Sequence, residues 1–400
     1  MKIVEINGTN YSSTGNIMLN IAEVARKNGH EVFTCSKNSR QSKKYINKNH
    51  IYIGSRFERI LSELLSDITG KKDSFNIIGT KRFIKKLEEI NPDLIHLHVM
   101  HDSFINYSLF FNYLIESKIP VVWTLHDCNP ITGQCVYFDS IGCYKWKTGC
   151  CNCKQLHRYP KSLLFDNTFA LWNKKKELFT KLNNLTIVTP SKWLANIVKE
   201  SFLNNAKIKV INNGIDINVY KYIESDFRKK NNLQNKKIVL GVGYIWNKRK
   251  GLDDFIKLAS LLPQNYQIVL VGTNDEIDEK LPDNILSIHR TYDKEELVKI
   301  YSSADVFVNP TYEDNFPTTN IESLACGTPV ITYNTGGSPE IINDKCGSVV
   351  NKGDTESLKR EIIRICNTKP FLKEDCINRS TQFDKNKKFK EYINLFNNLI

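Results

Sequence analysis

Strand-length apolar runs alternate with helical periodicity in two successive passes along this chain, a pattern that a parallel sheet with crossover helices accommodates. In the first pass "KIVEING" leads through the loop "TNYSSTG" to a helix with Ile17, Ile21, Val24 and Ala25 on one face, closed by Gly29 before "HEVFTC". "DLIHLHV", "IPVVWTLHD" and "LTIVTPS" continue that set of strands. The second pass runs "KKIVLGVGYI", "YQIVLVG", "DVFVNPT" and "TPVITYN", separated by helices such as "LDDFIKLASLL" and "KEELVKIYSSA". Between the passes, "SFLNNAKIKVINNGIDINVYKYIE" carries turn chemistry at Asn213-Gly214, and the final "FDKNKKFKEYINLFNNLI" reads as an amphipathic helix. The expected α/β organisation is a Rossmann-like domain over 1–200 with a Cys-rich insertion at 128–160, a second doubly wound domain over 201–380, and a helix over 381–400 crossing back to the first.

At 400 residues, 41% hydrophobic and 25% charged, the chain has material for two cored domains. A formal charge of +13 and a pI near 9.1 suit nucleic acid, an anionic membrane face or a phosphorylated substrate. The pairs Lys43-Lys44, Lys71-Lys72, Lys85-Lys86, Lys229-Lys230 and Lys236-Lys237 are dispersed, however, which reads as a solvated surface. "MKIVEINGTN" opens as a strand without the apolar core of a secretory signal, and no run approaches the length of a spanning helix. These features predict a cytoplasmic protein, soluble or peripheral at the inner face of the cell membrane.

Doubly wound domains bind ligands where the carboxyl ends of their strands face a crevice, which ranks the loops Ser13–Gly15, His96–His101, His126–Asp127, Tyr244–Lys250, Tyr312–Pro317 and Thr335–Gly337. In "TYEDNFPTTNIESLACG", Asp314 or Asn315 can cap a helix, Pro317 suits its first turn and Gly327 ends it. Glu322 then falls about one turn in. A carboxylate accepts two hydrogen bonds side by side, so Glu322 can hold a vicinal diol such as ribose. Taken alone, the plainer reading of the pair is a capping acid and an exposed helical Glu.

"YEDNFPTTNIESLACGTPVI", followed by "TGGSPEII" and "GSVVNKGD", resembles the donor-domain signature of family 4 retaining glycosyltransferases of the GT-B fold. The resemblance implies two Rossmann-like domains facing a crevice, a nucleotide-sugar donor and a glycan acceptor. By position it gives Glu322 the ribose hydroxyls and Asp314 the hydroxyls of the donor sugar. The family usually has Glu at the first acid position, so either Asp314 or the adjacent Glu313 is the contacting residue. It gives the backbone of Asn315, Phe316, Pro317, Thr318 and Thr319 to sugar or phosphate oxygens at a helix N-terminus. Gly336 and Gly337 would permit close backbone approach.

"GYIWNKRKGLDDF" offers Arg249 and Lys250 to neutralise a pyrophosphate leaving group, against the plainer reading of a basic surface loop. The family pattern has an Arg six residues before the Lys; Tyr244 stands there. Gly15 lies in the loop that the family places beneath the donor phosphate and sugar, though an ordinary strand-to-helix turn explains it equally. His126 matches a family histidine that bonds the donor sugar or phosphate, with Asp127 as its orienting partner. The resemblance thus makes His126, Asp314 and Lys250 the catalytic set, without a covalent protein nucleophile or a catalytic cofactor. In "HLHVMH", His96 and His98 share one strand face with no carboxylate at the usual spacing, and read as crevice or core residues.

Six of the eleven cysteines fall between Cys128 and Cys153. Disulfides are disfavoured in a cytosol, whereas Cys135, Cys143, Cys150 and Cys153 can present four thiolates to one structural zinc, with Cys151 an alternative to Cys150. Free buried thiols are the plainer reading. The run "TLHD…TG.C…C…TGC.NC" also resembles the branch of these transferases that builds bacterial surface polysaccharides of colanic-acid or capsule type, which implies a glycan acceptor, lipid-linked, and contact with an anionic membrane. Alternatives are another GT-B activity, such as a nucleotide-sugar epimerase or phosphorylase, and a zinc-knuckle nucleic-acid-binding protein. The chain offers neither a clustered basic helix nor an aromatic platform for the last, so nucleic acid is not expected as a partner.

Overall fold

In the computed structural model, which describes residues 1–45 and 49–400, the apolar runs become two all-parallel sheets. The first contains β1 (Lys2–Ile6), β2 (Glu31–Lys37), β3 (His50–Ile53), β4 (Leu94–Leu97), β5 (Val121–Thr124), β6 (Leu185–Thr189) and β7 (Lys207–Val210), ordered β3-β2-β1-β4-β5-β6-β7. The second contains β8 (Lys237–Val242), β9 (Tyr266–Val271), β10 (Ile285–Ile288), β11 (Val306–Asn309), β12 (Val330–Tyr333) and β13 (Gly347–Val350), ordered β10-β9-β8-β11-β12-β13. β4, β5, β6, β11 and β12 are buried along their whole length, as central strands covered on both faces must be. Strand order reverses between β1 and β4 in one sheet and between β8 and β11 in the other. Loops leaving those neighbours diverge, and the divergence opens a place for a ligand.

The chain divides into Met1–Asn212 with Lys388–Ile400, and Asn213–Lys387. The expected cut at 200/201 is therefore corrected to 212/213, because β7 pairs with β6 in the first sheet, Thr186 opposite Lys207. β7 is "KIKV", mostly exposed, so no apolar run announced it. Strands β3, β10 and β13 were likewise unread, being edge strands of only four residues, too short to stand out as apolar runs.

The last helix spans Lys385–Asn397, and its residues from 388 onward belong to the first unit. Phe389, Tyr392, Ile393 and Phe396 recur at helical spacing and pack with Ile3, Ile17, Ile21, Leu94, Val122 and Val188. Residues 128–167 contain three single 3-10 turns, Asn129–Ile131, Asp139–Ile141 and Lys145–Lys147, and otherwise irregular backbone.

Phe396 is fully buried in that cluster. Phe396→Ala should destabilise the first unit by about 3–5 kcal/mol, read as a fall in the denaturant midpoint of its unfolding transition.

Candidate functional site

In the second unit, the loops after β8 and β11 meet through backbone first. The Tyr312 N–H donates to the Arg249 carbonyl at 2.8 Å, and Arg249 Nη1 donates to the Glu313 carbonyl at 3.0 Å. Lys250 Nζ then reaches Asp314 Oδ2 at 2.6 Å, both side chains partly exposed. Lys250, Arg249 and Asp314 are thus brought together. Asp314 does not cap the following helix: the helix is Thr318–Ala325, its preceding residue is Pro317, and Asp314 is engaged by Lys250 instead.

The β12 loop closes on the same backbone. Gly336 has φ +56°, and a Cβ there would lie 1.7 Å from the Asp314 carbonyl oxygen. The chain's own packing therefore requires glycine there. The Gly337 N–H donates to the Asn315 carbonyl at 2.9 Å. Around this loop the buried hydroxyls of Thr335 and Ser338 have no protein partner. Sequence reasoning passed over both, although they stand inside "TGGSPE"; an orphaned buried hydroxyl is a ready contact for a polar ligand.

In "NFPTT", Phe316 is a core residue, 3% exposed and edge-on against Phe383, which leaves only its backbone to serve a ligand. Pro317 has no N–H to donate, and its carbonyl accepts from the Asn320 N–H. Thr318 and Thr319 open the first turn, where N–H groups lack intrahelical acceptors. Glu322 lies one turn further along, half-buried, its Oε2 accepting from the Tyr301 hydroxyl at 3.2 Å. Burial pushes its carboxyl up to about 7, against hydrogen bonds from Tyr301 and Thr318 and the charge of Lys294 that favour the anion. A carboxylate held at this cost, with few internal bonds, is poised to accept hydroxyl donors. Glu313, by contrast, is 4% exposed, whereas Asp314 remains partly open.

In the first unit, a Cβ on Gly15 would lie 2.9 Å from the Asn10 carbonyl carbon and 3.0 Å from the Thr9 oxygen, so the turn into the helix Ser12–Lys27 accounts for that glycine. The histidines resolve into two groups. His96 and His98 are fully buried, and Glu5 from β1 meets both: His96 Nδ1 at 2.8 Å and His98 Nε2 at 2.9 Å from Glu5 Oε2. The expectation that no carboxylate accompanies them is therefore corrected; the acid sits on the neighbouring strand, with Glu5 paired to His96 in the β1–β4 register. Burial drives His96 and His98 down to about 3 and His126 to about 4, so all three are neutral at physiological pH. His126 Nε2 lies 3.0 Å from His98 Nδ1. Burial raises the Glu5 pKa, and the carboxyl, His98 and His126 form one hydrogen-bonded chain in which the proton held by each group sets the tautomer of the next.

Asp127, expected to orient His126, instead accepts from His101 Nε2 at 3.0 Å and from the Asn129 N–H at 2.8 Å. Burial alone would lower the His101 pKa, but Asp127 and Asp102 override it and raise it to about 10. His101 is thus a charged member of a carboxylate cluster, completed by Lys37 on Asp102 at 2.8 Å and the Tyr159 hydroxyl. The predicted zinc ligands gather in the irregular segment, with Cys135 Sγ 3.6 Å from Cys153 Sγ and Cys151 exposed.

Comparison with known proteins gives a consistent result. The family model described as Glycosyltransferase Family 4 matches residues 14–219, and that described as Glycosyl transferases group 1 matches residues 223–388. A putative colanic acid biosynthesis glycosyl transferase, WcaC of Escherichia coli strain K12, is 26% identical over 77% of this chain and 77% of its own length. The N,N'-diacetylbacillosaminyl-diphospho-undecaprenol alpha-1,3-N-acetylgalactosaminyltransferase of Campylobacter jejuni is 26% identical over 52% of this chain and 58% of its own length. Among solved structures, Anabaena HepE in complex with UDP superposes with a TM-score of 0.70 at 16% identity, covering all of both chains.

Folding raises the Glu322 pKa from about 4.5 to about 7, so the folded state holds the proton more tightly than the unfolded chain. The stability that protonation brings is complete below pH 4.5 and lost as the pH rises through about 7. Glu322→Gln, which has no charge to bury, should therefore be more stable than the parent at pH 8, by at most about 3 kcal/mol, with the gap closing at pH 4.5. Thermal unfolding of both proteins across that range measures it.

Proposed function

The chain belongs to glycosyltransferase family 4 and has the GT-B fold class, and from that premise we propose that it is a retaining enzyme moving a sugar from a nucleotide-sugar to a lipid-linked glycan in bacterial surface polysaccharide synthesis. The observation that carries this reading is the pairing, at the strand-order reversal of the second unit, of an ion-paired Lys250–Asp314 with a half-buried Glu322 one helical turn beyond. A nucleotide-sugar presents the three groups these side chains complement: a pyrophosphate, sugar hydroxyls and a ribose diol.

In this proposal Glu322 accepts hydrogen bonds from the ribose hydroxyls. Asp314 accepts from the donor sugar, since Glu313 is buried beneath the loop. Lys250, with Arg249, neutralises the charge that grows on the pyrophosphate as the glycosidic bond breaks. Asn315, Thr318 and Thr319 supply backbone donors at the helix start, and Thr335 and Ser338 add the hydroxyls that lack protein partners. The backbones of Gly336 and Gly337 hold that loop against Asp314 and Asn315. His126 of the first unit, hydrogen-bonded to His98 and through it to Glu5, is proposed to hydrogen-bond substrate. The donor phosphate assists deprotonation of the acceptor, and no protein nucleophile is invoked. Support for the donor class comes from HepE, solved with UDP, and for the acceptor class from the C. jejuni relative, whose name specifies a diphospho-undecaprenol substrate.

Two features of the first unit support contact with an anionic membrane. The helix Arg56–Thr69, opened by a Ser55–Glu58 capping box, exposes Phe57, Ile60, Leu61 and Leu64 along one stripe. The helix Ile77–Ile90, tied to it by Arg82–Glu58, adds exposed Ile77 and Ile78 beside Lys81, Arg82 and Lys85. An apolar stripe edged by cations suits a lipid surface. None of the helices is long and apolar enough to cross a membrane among the described residues.

Glu322→Ala and Lys250→Ala should each lower transfer by about 10²–10³-fold with a turned-over nucleotide-sugar. Glu322→Ala should also abolish the thermal shift given by the free nucleoside diphosphate. Unchanged rates in both variants would sink the assignment. Proton NMR of the product should show the donor's anomeric configuration retained; inversion would overturn that part alone. On vesicles containing anionic phospholipid, Phe57→Asp with Leu64→Asp should reduce sedimentation at least tenfold, while neutral vesicles bind neither protein well.

A further inference from the structure

We propose that Cys135, Cys143, Cys150 and Cys153 bind one structural zinc ion that staples the irregular segment between β5 and the helix Thr168–Phe179. Two thiolates on one tetrahedral zinc, with Zn–S bonds of about 2.3 Å, lie roughly 3.8 Å apart. The Cys135–Cys153 sulfurs are already 3.6 Å apart, far outside a disulfide bond and close to that edge. Cys143 and Cys150 lie within electrostatic range of Cys135 but stand further out, since no three cysteine sulfurs lie within 4.8 Å of one another among the described residues. Binding therefore draws these two sulfurs inward.

The surroundings are built for thiolates. The Gly133 N–H donates to Cys150 Sγ at 3.2 Å, and the Gln155 N–H donates to Cys153 Sγ two residues along, as backbone amides around metal-bound sulfur do. A Cβ on Gly133 would lie 2.4 Å from the Thr168 carbonyl oxygen, so glycine is what lets that amide reach the sulfur. The Lys145 ammonium holds the turn between Cys150 and Cys153 through the carbonyls of Cys151 and Asn152, and Asp166 accepts the Cys153 N–H at 2.7 Å. Cys151 is exposed on the far side of that turn, which leaves Cys150 as the ligand.

An independent observation concerns charge. Lys175 is 2% exposed, and its ammonium donates only to neutral oxygens: Asn129 O at 2.7 Å, Asn129 Oδ1 at 2.9 Å and Thr132 O at 3.1 Å. Among the described residues no carboxylate pairs with it directly. A buried cation is costly, and the charges within its field are Asp73 first, then Cys150, Asp127 and Cys135. Zinc binding displaces four thiol protons to solvent and leaves a centre of net charge about −2, which adds to the field of the two carboxylates in favouring this ammonium.

The stapled segment needs such a centre. Its own apolar contribution is small, chiefly Phe138 stacked on Trp146 with ring centroids 5.0 Å apart, and long stretches without regular structure rarely hold together unaided. The full chain purified without chelator should carry about one equivalent of zinc. Cys135→Ser and Cys153→Ser should lose it, and Cys151→Ser should keep it. Cobalt added to zinc-stripped protein should give an intense thiolate-to-metal charge-transfer band, and zinc should protect Cys135, Cys143, Cys150 and Cys153, but not Cys151, from native-state alkylation read by mass spectrometry. The last two readouts use the parent protein and stand even where a variant fails to fold. Protein grown with added zinc yet metal-free, a native Cys135–Cys153 disulfide, or equal alkylation of all five cysteines would overturn the proposal.

Discussion

Parallel pairing forces every strand of a sheet to leave by the same edge, and the reversal of strand order then decides which loops part from one another. Everything functional in this molecule depends on that constraint. In the second unit the reversal lies between β8 and β11, so a basic loop and an acidic loop, 64 residues apart in sequence, are joined by Lys250 and Asp314. In the first unit it lies between β1 and β4, and Glu5 comes to rest beside His96 and His98, His98 being 93 residues away in sequence. Neither pairing has a local cause. Each follows from the order and register of the strands, and each gathers ionisable groups at a reversal of strand order.

The two sites pay differently for those charges. Glu322 is half-buried with few internal hydrogen bonds, and the destabilisation of its anion is visible in its raised pKa. A group in that state gains most from a ligand that supplies hydroxyl donors, because the ligand removes a cost already incurred in folding. The Glu5–His98–His126 chain is buried instead, with two neutral imidazoles hydrogen-bonded to each other and, through His98, to one acid. The first arrangement favours binding, the second fixes orientation.

What the sequence disclosed was whatever had a short-range signature. The repeated strand-and-helix pattern read correctly for the long apolar strands, and the spacing of Asp314, Glu322 and the paired glycines marked the acidic loop. Pairings set by register were invisible: nothing near His96 points to Glu5, and nothing near Asp127 shows that His101 rather than a neighbour takes its carboxylate. Edge strands such as β7 lack the apolar run that betrays central ones, since one side meets solvent, and the domain boundary moved with β7. Lys175 could not be found either, because a buried ammonium looks in sequence like any lysine of a helical stretch.

The acidic loop also shows why a motif residue and its cause must be separated. Gly336 is demanded by the Asp314 carbonyl, so its role is to bring one loop against another, and the loop it buttresses is the one that carries the acid. That packing bears on which acid faces the ligand. Glu313 is turned under the loop, its carbonyl held by Arg249 and Thr311, while Asp314 is left on the open side with its carboxylate aligned by Lys250. A longer side chain at 314 would have to fold back to keep that ion pair; aspartate makes it at 2.6 Å with one fewer rotatable bond to order. The shorter acid therefore suits the ion pair with Lys250 that this backbone, fixed by Gly336 and Arg249, sets in place.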